Sequence, residues 1–298
     1  MTLTGWFRRW SRTSPRRAPL DKMRRVAGGA PVINFLTDYG FGDGFVGVCH
    51  GVIAGICPEA RVIDLSHGVA RHDIRAGALI LEGALPYLPA GVVLGVVDPD
   101  VGAERRAVAL RAGDGRQMVG PDNGLLMLAA DACGGVTEAV DISRSPFRLE
   151  PVSATFHGRD IFAPVAARLA AGVPLAEAGE PSDPDELVRL DLPRPDLRED
   201  GVLVAHAAYI DRFGNVQLNV SHEELGRAGL KLGHAVAVEV DSGAMHSAVF
   251  VRTFADVELG ELLVYEDAYR RLAVAVSHGN AAARLAVEVD EPVRIRPA

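Results

Sequence analysis

The feature that most constrains this fold is an apolar run that stops abruptly at an aspartate. Residues 92–97 read V-V-L-G-V-V, a composition typical of a strand buried on both faces of a parallel sheet. Pro99 cannot donate to a sheet ladder and biases Asp98 towards an extended conformation, so the strand ends there. Ligands bind at the carboxyl ends of strands in open α/β sheets. Asp98 is therefore either a crevice carboxylate or part of a solvated ion pair in a turn with Arg105 and Arg106.

The residues before this run repeat the pattern of strand, turn and helix. A strand at 32–36 is followed by T-D-Y-G and by a helix at about 44–56, which Asp43 is placed to cap; a strand at 61–65 precedes a helix at 74–88, capped by Asp73. Residues 107–111 and 117–119 resemble a hairpin. Neither G-x-G-x-x-G nor a Walker lysine is present, so a dinucleotide or P-loop site is not supported. The sequence predicts an α/β N-terminal domain with a mostly parallel sheet.

The second half of the chain has a different pattern. Residues 182–201 are rich in proline and aspartate and lack periodicity, which is typical of an interdomain linker. The short alternating runs beyond it predict a small all-β, barrel-like C-terminal domain, with one helix near 222–228. The expected domains are 29–181 and 202–298, after a basic arm at 1–28. The predicted strands lie at 202–210, 216–220, 235–240, 262–265, 272–276, 285–289 and 293–296.

The charge of the chain is unevenly distributed. Residues 1–28 hold eight lysines or arginines and one aspartate, a net charge of +7; the whole chain carries −8, so the remainder carries −15. An acidic body argues against nucleic acid as the main partner. The arm lacks the apolar region of a signal peptide, and we expect it to be disordered.

Membrane and redox features point to a cytoplasmic protein. No apolar run reaches the roughly 18–20 residues needed to span a bilayer, so we expect no stable membrane insertion. Cys49, Cys57 and Cys133 form no C-x-x-C pair, and we interpret them as buried, reduced thiols.

Three loops carry residues suited to ligand binding, each with a structural alternative. Asp38 offers two acceptors that suit a ribose diol, or it is a turn aspartate. His157, in T-F-H-G-R-D, can face an anion or a polarised water beside a helix N-terminus, or it is a structural histidine. Phe213 and Asn215, in D-R-F-G-N, could stack on and hydrogen-bond to a purine, or Phe213 packs in the core.

Five motifs in order resemble one known family. They are T-D-Y-G with D-G-F-V-G, V-V-D-P-x-V-G with an arginine seven residues after the aspartate, P-D-N-G-L-L, T-F-H-G-R-D-I-F-A-P and I-D-R-F-G-N. Together, over about residues 32–290, they resemble the S-adenosylmethionine (SAM) hydroxide adenosyltransferases, the hydrolytic relatives of the fluorinase and chlorinase. The resemblance implies an α/β domain, a β-barrel-like domain and a homotrimer. It also implies a SAM site between the first domain of one subunit and the second domain of its neighbour.

The resemblance also implies a reaction and roles for individual residues. Water or hydroxide attacks C5′ of SAM, giving adenosine and L-methionine, with SAM as substrate and no cofactor. By position, the water-activating group falls on Asp98, Arg105 and His157; whether His157 is the formal base stays open. The segment at 267–270, D-A-Y-R, differs from the N-S-Y-G of many relatives. The substrate contacts implied by position are Asp38 for the ribose, Asp211 for the methionine ammonium, Phe213 and Asn215 for adenine, and Tyr39, Tyr269, Asn280 and Ala281.

These residue types fit the chemistry. The leaving group is a neutral thioether, so it needs no acid, and the main levers are positioning and partial desolvation of the water. No residue spacing suggests a metal site. The alternatives are a SAM- or adenosine-binding sensor, a metal-dependent hydrolase using Asp38, Asp98 and His157, and a halogenase. Asp98 and His157-Gly158 stand where the halogenating relatives have a tyrosine and a Tyr-Ser pair, which favours hydrolysis.

Overall fold

The structure, a computed structural model, describes residues 29–298; the predicted basic arm lies outside the described residues. The chain divides into two units between Leu190 and Asp191. This boundary falls inside the predicted linker, and both halves of that segment are structured. The backbone N–H of Val188 donates to the Asp122 carboxylate (2.9 Å) in the first unit. Residues Asp196–Leu197 pair with a strand of the second unit.

The first unit is built on a seven-stranded sheet. Its order is β2-β1-β3-β5-β4-β6-β7, in which the first four strands are parallel and the last three are added antiparallel. The α/β prediction is confirmed, as is the β4–β5 hairpin. The strands are β1 (Val32–Thr37), β2 (Arg61–Ser66), β3 (Val92–Val96), β4 (Ala107–Ala112), β5 (Gln117–Pro121), β6 (Val136–Asp141) and β7 (Glu180–Ser182).

Helices cover both faces of this sheet. Helices α1 (Phe45–Ile56) and α4 (Ala163–Ala170) pack together on one face, while α2 (Ile74–Ala84) and α3 (Met127–Ala132) pack together on the other. Asp73 caps α2 as predicted, by accepting from the N–H of Ala76 (2.8 Å). The predicted cap of α1 by Asp43 is wrong: Gly44 is the N-cap and no side chain caps this helix.

The second unit contains a closed seven-stranded barrel, which confirms the predicted all-β, barrel-like domain. The strand order β10-β14-β13-β12-β11-β15-β9 closes because β9 also pairs with β10, and β8 (Asp196–Leu197) adds to β9. Closure leaves no unpaired edge along the barrel wall. The barrel strands are β9 (Leu203–Ile210), β10 (Val216–Ser221), β11 (Ala235–Val240), β12 (Met245–Phe250), β13 (Leu262–Glu266), β14 (Arg271–Val276) and β15 (Pro292–Pro297); the helices are α5 (His222–Arg227) and α6 (Ala281–Leu285).

Two details of the barrel differ from the sequence prediction. The strand expected at 285–289 does not form: α6 occupies Ala281–Leu285 and ends where Ala286 adopts a left-handed φ of 50°. Asn280 stabilises this helix by accepting from the N–H of Ala283 (2.7 Å), and its alanine run favours a helix. Strand β12 was not predicted, because M-H-S-A-V-F alternates only weakly.

Other sequence expectations concern burial and membranes. Cys49, Cys57 and Cys133 are buried and unpaired, as predicted. Among residues 29–298, no helix combines the length and the apolar character needed to cross a membrane.

Candidate active site

The parallel strands bring the predicted carboxylates to one edge of the first sheet. Asp38 directly follows β1, and Asp98 lies two residues beyond β3. These strands are neighbours, with Thr37 paired to Val96 at their carboxyl ends. The strand-end argument from the sequence therefore places both carboxylates on the same side of the domain.

A cavity of about 280 Å³ lies at this edge. Four of the predicted residues line it: Asp38, Tyr39, Asp98 and His157. Arg105 lies behind them, hydrogen-bonded to two of the four. The other lining residues are Asp43, Phe45, Arg71, His72, Val101, Thr155, Phe156 and Gly158.

Asp98, Arg105 and His157 form one hydrogen-bonded group. The Arg105 guanidinium donates from Nε to Asp98 Oδ1 (2.8 Å) and from Nη2 to Oδ2, so the pair is bidentate. The same Nη2 also donates to Nδ1 of His157 (2.9 Å). Only 9% of the Arg105 side chain and 6% of the Asp98 side chain are exposed. The structure thus excludes the solvated surface ion pair as the interpretation of Asp98.

The contact with Arg105 fixes the tautomer of His157. A guanidinium has no acceptor, so Nδ1 of His157 must accept, and in the neutral ring the proton resides on Nε2. Burial, followed by the charge of Arg105, lowers the pKa of His157 below its ordinary value of 6.5. The imidazole is therefore neutral at physiological pH and offers an Nε2–H donor.

Tyr39 occupies space that a side chain at position 158 would need. A Cβ on Gly158 would lie 2.1 Å from the Tyr39 hydroxyl oxygen. The Tyr39 ring also lies edge-on to Phe156, with centroids 5.9 Å apart. Burial above all raises the pKa of Tyr39 well above its ordinary value, so its hydroxyl stays protonated. Glycine at position 158 thus leaves room for the neutral Tyr39 hydroxyl at the cavity.

The loop after β2 also contributes, which the sequence reasoning missed. The backbone N–H of His72 donates to Asp38 Oδ2 (3.0 Å), and His72 has a positive φ of 66°. Arg71 and His72 follow the neighbouring parallel strand, so the strand-end argument could have found them. Asp43, predicted only as a helix cap, lines the cavity instead.

The second unit holds the remaining predicted contacts in three segments of the chain. The Asp211 carboxylate organises the first loop by accepting from the backbone N–H groups of Phe213 (2.8 Å) and Asn215 (2.9 Å) and from the Asn215 side chain (2.8 Å). Phe213 is 66% exposed, which decides against its packing in the core. The loop therefore presents an aromatic face on a turn that is tied down by hydrogen bonds.

A second segment, at residues 280–282, packs against the turn at 211–215. The N–H of Ala282 donates to the Gly214 carbonyl (3.0 Å), and a Cβ on Gly214 would lie 2.2 Å from Cγ of Asn280. Ala281 is buried, while Tyr269, in the separate turn between β13 and β14, is 51% exposed. The structure thus brings Asn280 and Ala281 together with the 211–215 turn.

One group of side chains within residues 29–298 has donor atoms close enough to share a metal ion. It consists of His50, Asp64 and His67 and differs from the set weighed from the sequence. Asp98 and His157 instead share the Arg105 cation.

The fold and the site define a two-domain class of protein. Its first domain is α/β with a polar cavity at the strand ends, and its second is a closed barrel with an exposed aromatic turn. Residues 33–179 match the SAM hydroxide adenosyltransferase N-terminal domain and residues 205–294 match its C-terminal domain. This chain belongs to the SAM hydroxide adenosyltransferase family.

Individual relatives agree with this membership. An (R)-S-adenosyl-L-methionine hydrolase from Salinispora tropica is 51% identical over 89% of this chain and 97% of its own. A fluorinase from an Actinoplanes species is 31% identical over 84% of this chain and 92% of its own. The crystal structure of an uncharacterized conserved protein from Thermotoga maritima superposes with a TM-score of 0.82 at 34% identity, covering 89% of this chain and 99% of that one.

Proposed function

We propose that this protein hydrolyses SAM by attack of water at C5′, giving adenosine and L-methionine. The observation that carries the proposal is the group of Asp98 and His157 at the cavity, both held by Arg105. Similarity to a SAM hydrolase at 51% identity supports the choice of substrate.

The hydrogen bonds define what each residue does. Each oxygen of Asp98 accepts one bond from Arg105 and keeps a lone pair that can accept a proton of the water. The Nε2–H of His157 donates to the water oxygen, so His157 positions the water and is not its base. The water oxygen bonds to C5′ as the C5′–S bond breaks; the electron pair goes to sulfur, and the water proton passes through Asp98 to solvent. Because positive charge on the substrate is lost, a partly desolvated cavity favours the step.

The choice between hydrolysis and halogenation rests on the charge of the group that lies at the cavity where the nucleophile would bind. In this cavity that group is the Asp98 carboxylate, which accepts a proton from water but repels a halide ion. Hydrolysis is therefore the activity that the residues favour, and halogenation is the second candidate.

We further propose a homotrimer in which the aromatic turn at 211–215 completes the site of a neighbouring subunit. Phe213 is exposed, and the first unit exposes Phe41 and Phe45 beside the cavity loop, at 72% and 44%. Mixing an Asp98→Asn protein with a Phe213→Ala protein tests this, since mixed trimers would regain sites that are intact on both sides.

The acidic body and buried thiols support a cytoplasmic enzyme without nucleic-acid partners.

The product assay tests the proposed reaction directly. Chelator-treated protein is incubated with SAM in halide-free, ¹⁸O-labelled water, and products are separated by chromatography. We expect equal amounts of adenosine and methionine, with the label in adenosine. Intact SAM despite binding would favour the sensor, a requirement for halide would favour the halogenase, and rescue by added metal would favour the metal-dependent hydrolase.

A further inference from the structure

Behind the turn that carries Asp38 and Tyr39 lies a chain of hydrogen bonds that the proposed reaction does not use. Asp64 Oδ1 lies 2.9 Å from Nε2 of His67, and Nδ1 of the same ring lies 2.8 Å from the Thr37 hydroxyl. Thr37 is fully buried and His67 is 1% exposed. The Thr37 oxygen in turn accepts from the backbone N–H of Tyr39 (3.1 Å). We name Asp64, His67 and Thr37 the positioning chain.

The direction of these bonds follows from the ionised end. Burial acts to raise the pKa of Asp64, but hydrogen bonds from His67 and His50 outweigh it and lower that pKa. An ionised carboxylate only accepts, so Nε2 of His67 carries a proton, and in the neutral ring Nδ1 then accepts from the Thr37 hydroxyl. The hydroxyl oxygen is then free to accept from Tyr39. Every bond has a donor and an acceptor in this arrangement.

His67 also holds the other end of the same turn through its backbone. Its carbonyl accepts from the N–H of Gly40 (2.7 Å), and Gly40 has a positive φ of 68°. His67 therefore fixes the turn at two amides, one through Thr37 and one directly. These two amides flank Tyr39, and Asp38 directly precedes the first of them; Asp38 and Tyr39 both line the cavity.

We propose that Asp64, His67 and Thr37 are positioning residues that hold the Asp38–Tyr39 turn in its binding-competent shape and thereby set the affinity for SAM. The effect on catalysis rests on the proposed function; the effect on the turn does not. In the part of the chain that the structure describes, no hydrogen bond or ion pair joins the positioning chain to Asp98, Arg105 or His157, so it acts mainly on KM and little on kcat.

A divalent metal ion is the competing occupant of this cluster. The donor atoms of His50, Asp64 and His67 lie within 4.8 Å of one another. A metal on Nε2 of His67 would require that nitrogen to lose its proton. The proton would then reside on Nδ1 and face the Thr37 hydroxyl, which would reverse the bond described above. The two occupants therefore require opposite directions of the bond between His67 and Thr37, and metal binding is measured to distinguish them.

The test compares Thr37→Val, which keeps the shape and removes the hydroxyl, with Thr37→Ser, which restores it. His50→Ala is the matched control, because His50 also contacts Asp64 Oδ1 (2.8 Å) but does not touch Thr37. We expect Thr37→Val and Asp64→Asn to raise KM for SAM about tenfold with kcat within about twofold, and Thr37→Ser and His50→Ala to resemble the unmodified protein.

Deuterium exchange at residues 38–41 gives a readout that needs no turnover. We expect faster amide exchange in this segment for Thr37→Val and unchanged exchange in the barrel. Unchanged exchange and KM in folded Thr37→Val would overturn the proposal. Stoichiometric Zn²⁺ binding to the unmodified protein that is lost in Asp64→Asn would also overturn it, in favour of a metal site. Faster exchange in Thr37→Val while the unmodified protein leaves SAM intact would instead uphold the chain and reject the proposed function.

Discussion

Two polar clusters that contain predicted site residues, one in each unit, are built in opposite ways. Asp98 and Arg105, seven residues apart, are joined side chain to side chain with His157, which lies 52 residues beyond Arg105, and the Asp98–Arg105 pair is largely buried. In the barrel, the Asp211 carboxylate bonds to groups two and four residues away and leaves Phe213 in solvent. Under the proposed function, the first arrangement holds charged groups in place for chemistry. The second stiffens a turn and would present an aromatic ring to the ligand.

The largest effect is expected from breaking the first cluster. Asp98→Asn removes the charge that pairs with buried Arg105 and the acceptor for the water proton. We expect kcat to fall by roughly 10²- to 10⁴-fold, and the free energy of unfolding to drop by about 1–3 kcal/mol. Product formation and chemical denaturation measure the two effects.

The matched control for this variant is Asp100→Asn, two residues along the same turn and exposed. We expect it to change kcat by less than about twofold. Equal losses in the two variants would mean that general charge near the cavity matters and that the specific pairing with Arg105 does not.

The contact between Tyr39 and Gly158 is the next most sensitive point. Gly158→Ala places a methyl group where the Tyr39 hydroxyl lies, at 2.1 Å, so the ring must move. We expect kcat/KM to fall by about 10- to 100-fold, because overpacking costs about 1–3 kcal/mol. Adding Tyr39→Phe removes the clashing oxygen and should recover part of the loss.

A neutral glycine site provides the comparison for this substitution. Gly226 lies in α5 of the barrel, and a Cβ there meets nothing within 4 Å. Gly226→Ala should leave activity unchanged and stabilise the helix slightly. If Gly158→Ala also left activity unchanged, the close approach of Tyr39 to Gly158 would have no effect on activity.

The barrel cluster should respond differently from the first. Because Phe213 is exposed, Phe213→Ala removes a stacking surface without opening a cavity. We expect KM for SAM to rise about tenfold, with kcat and the melting temperature nearly unchanged. Leu259→Ala, at an equally exposed apolar residue of the same unit (76%), should alter none of these. A large fall in kcat for Phe213→Ala would contradict the proposal that the first cluster acts in chemistry and the barrel cluster in substrate binding.

The comparison also shows what the sequence could reveal. Asp38 and Asp98 follow predicted strands, so the strand-end argument found both from the chain alone. Arg105 and His157 were joined to Asp98 as one group only by resemblance, because no local pattern indicates that side chains 52 residues apart will meet. The space at Gly158 depends on packing between elements, as does the bond from His67 to Thr37, and neither has a local pattern. The false strand at 285–289 failed for the converse reason: a local cap at Asn280 outweighed an apolar run.

The pH dependence of kcat/KM on the acid side probes the first cluster directly. It is the smallest effect expected at neutral pH. Burial and Arg105 lower the pKa of His157 below 6.5, so kcat/KM should stay level near pH 7 and fall only below 6.5, as protonation breaks the bond from Arg105. The pKa of His157 is lower in the folded protein than in the unfolded chain, so between these two values the unfolded state binds more protons. The stability of the fold should therefore also decrease as the pH falls through this window. His157→Gln should lose this titration, whereas His50→Ala should retain it. A midpoint above 6.5 would show that His157 is stabilised in its charged form, as a base taking the water proton would be.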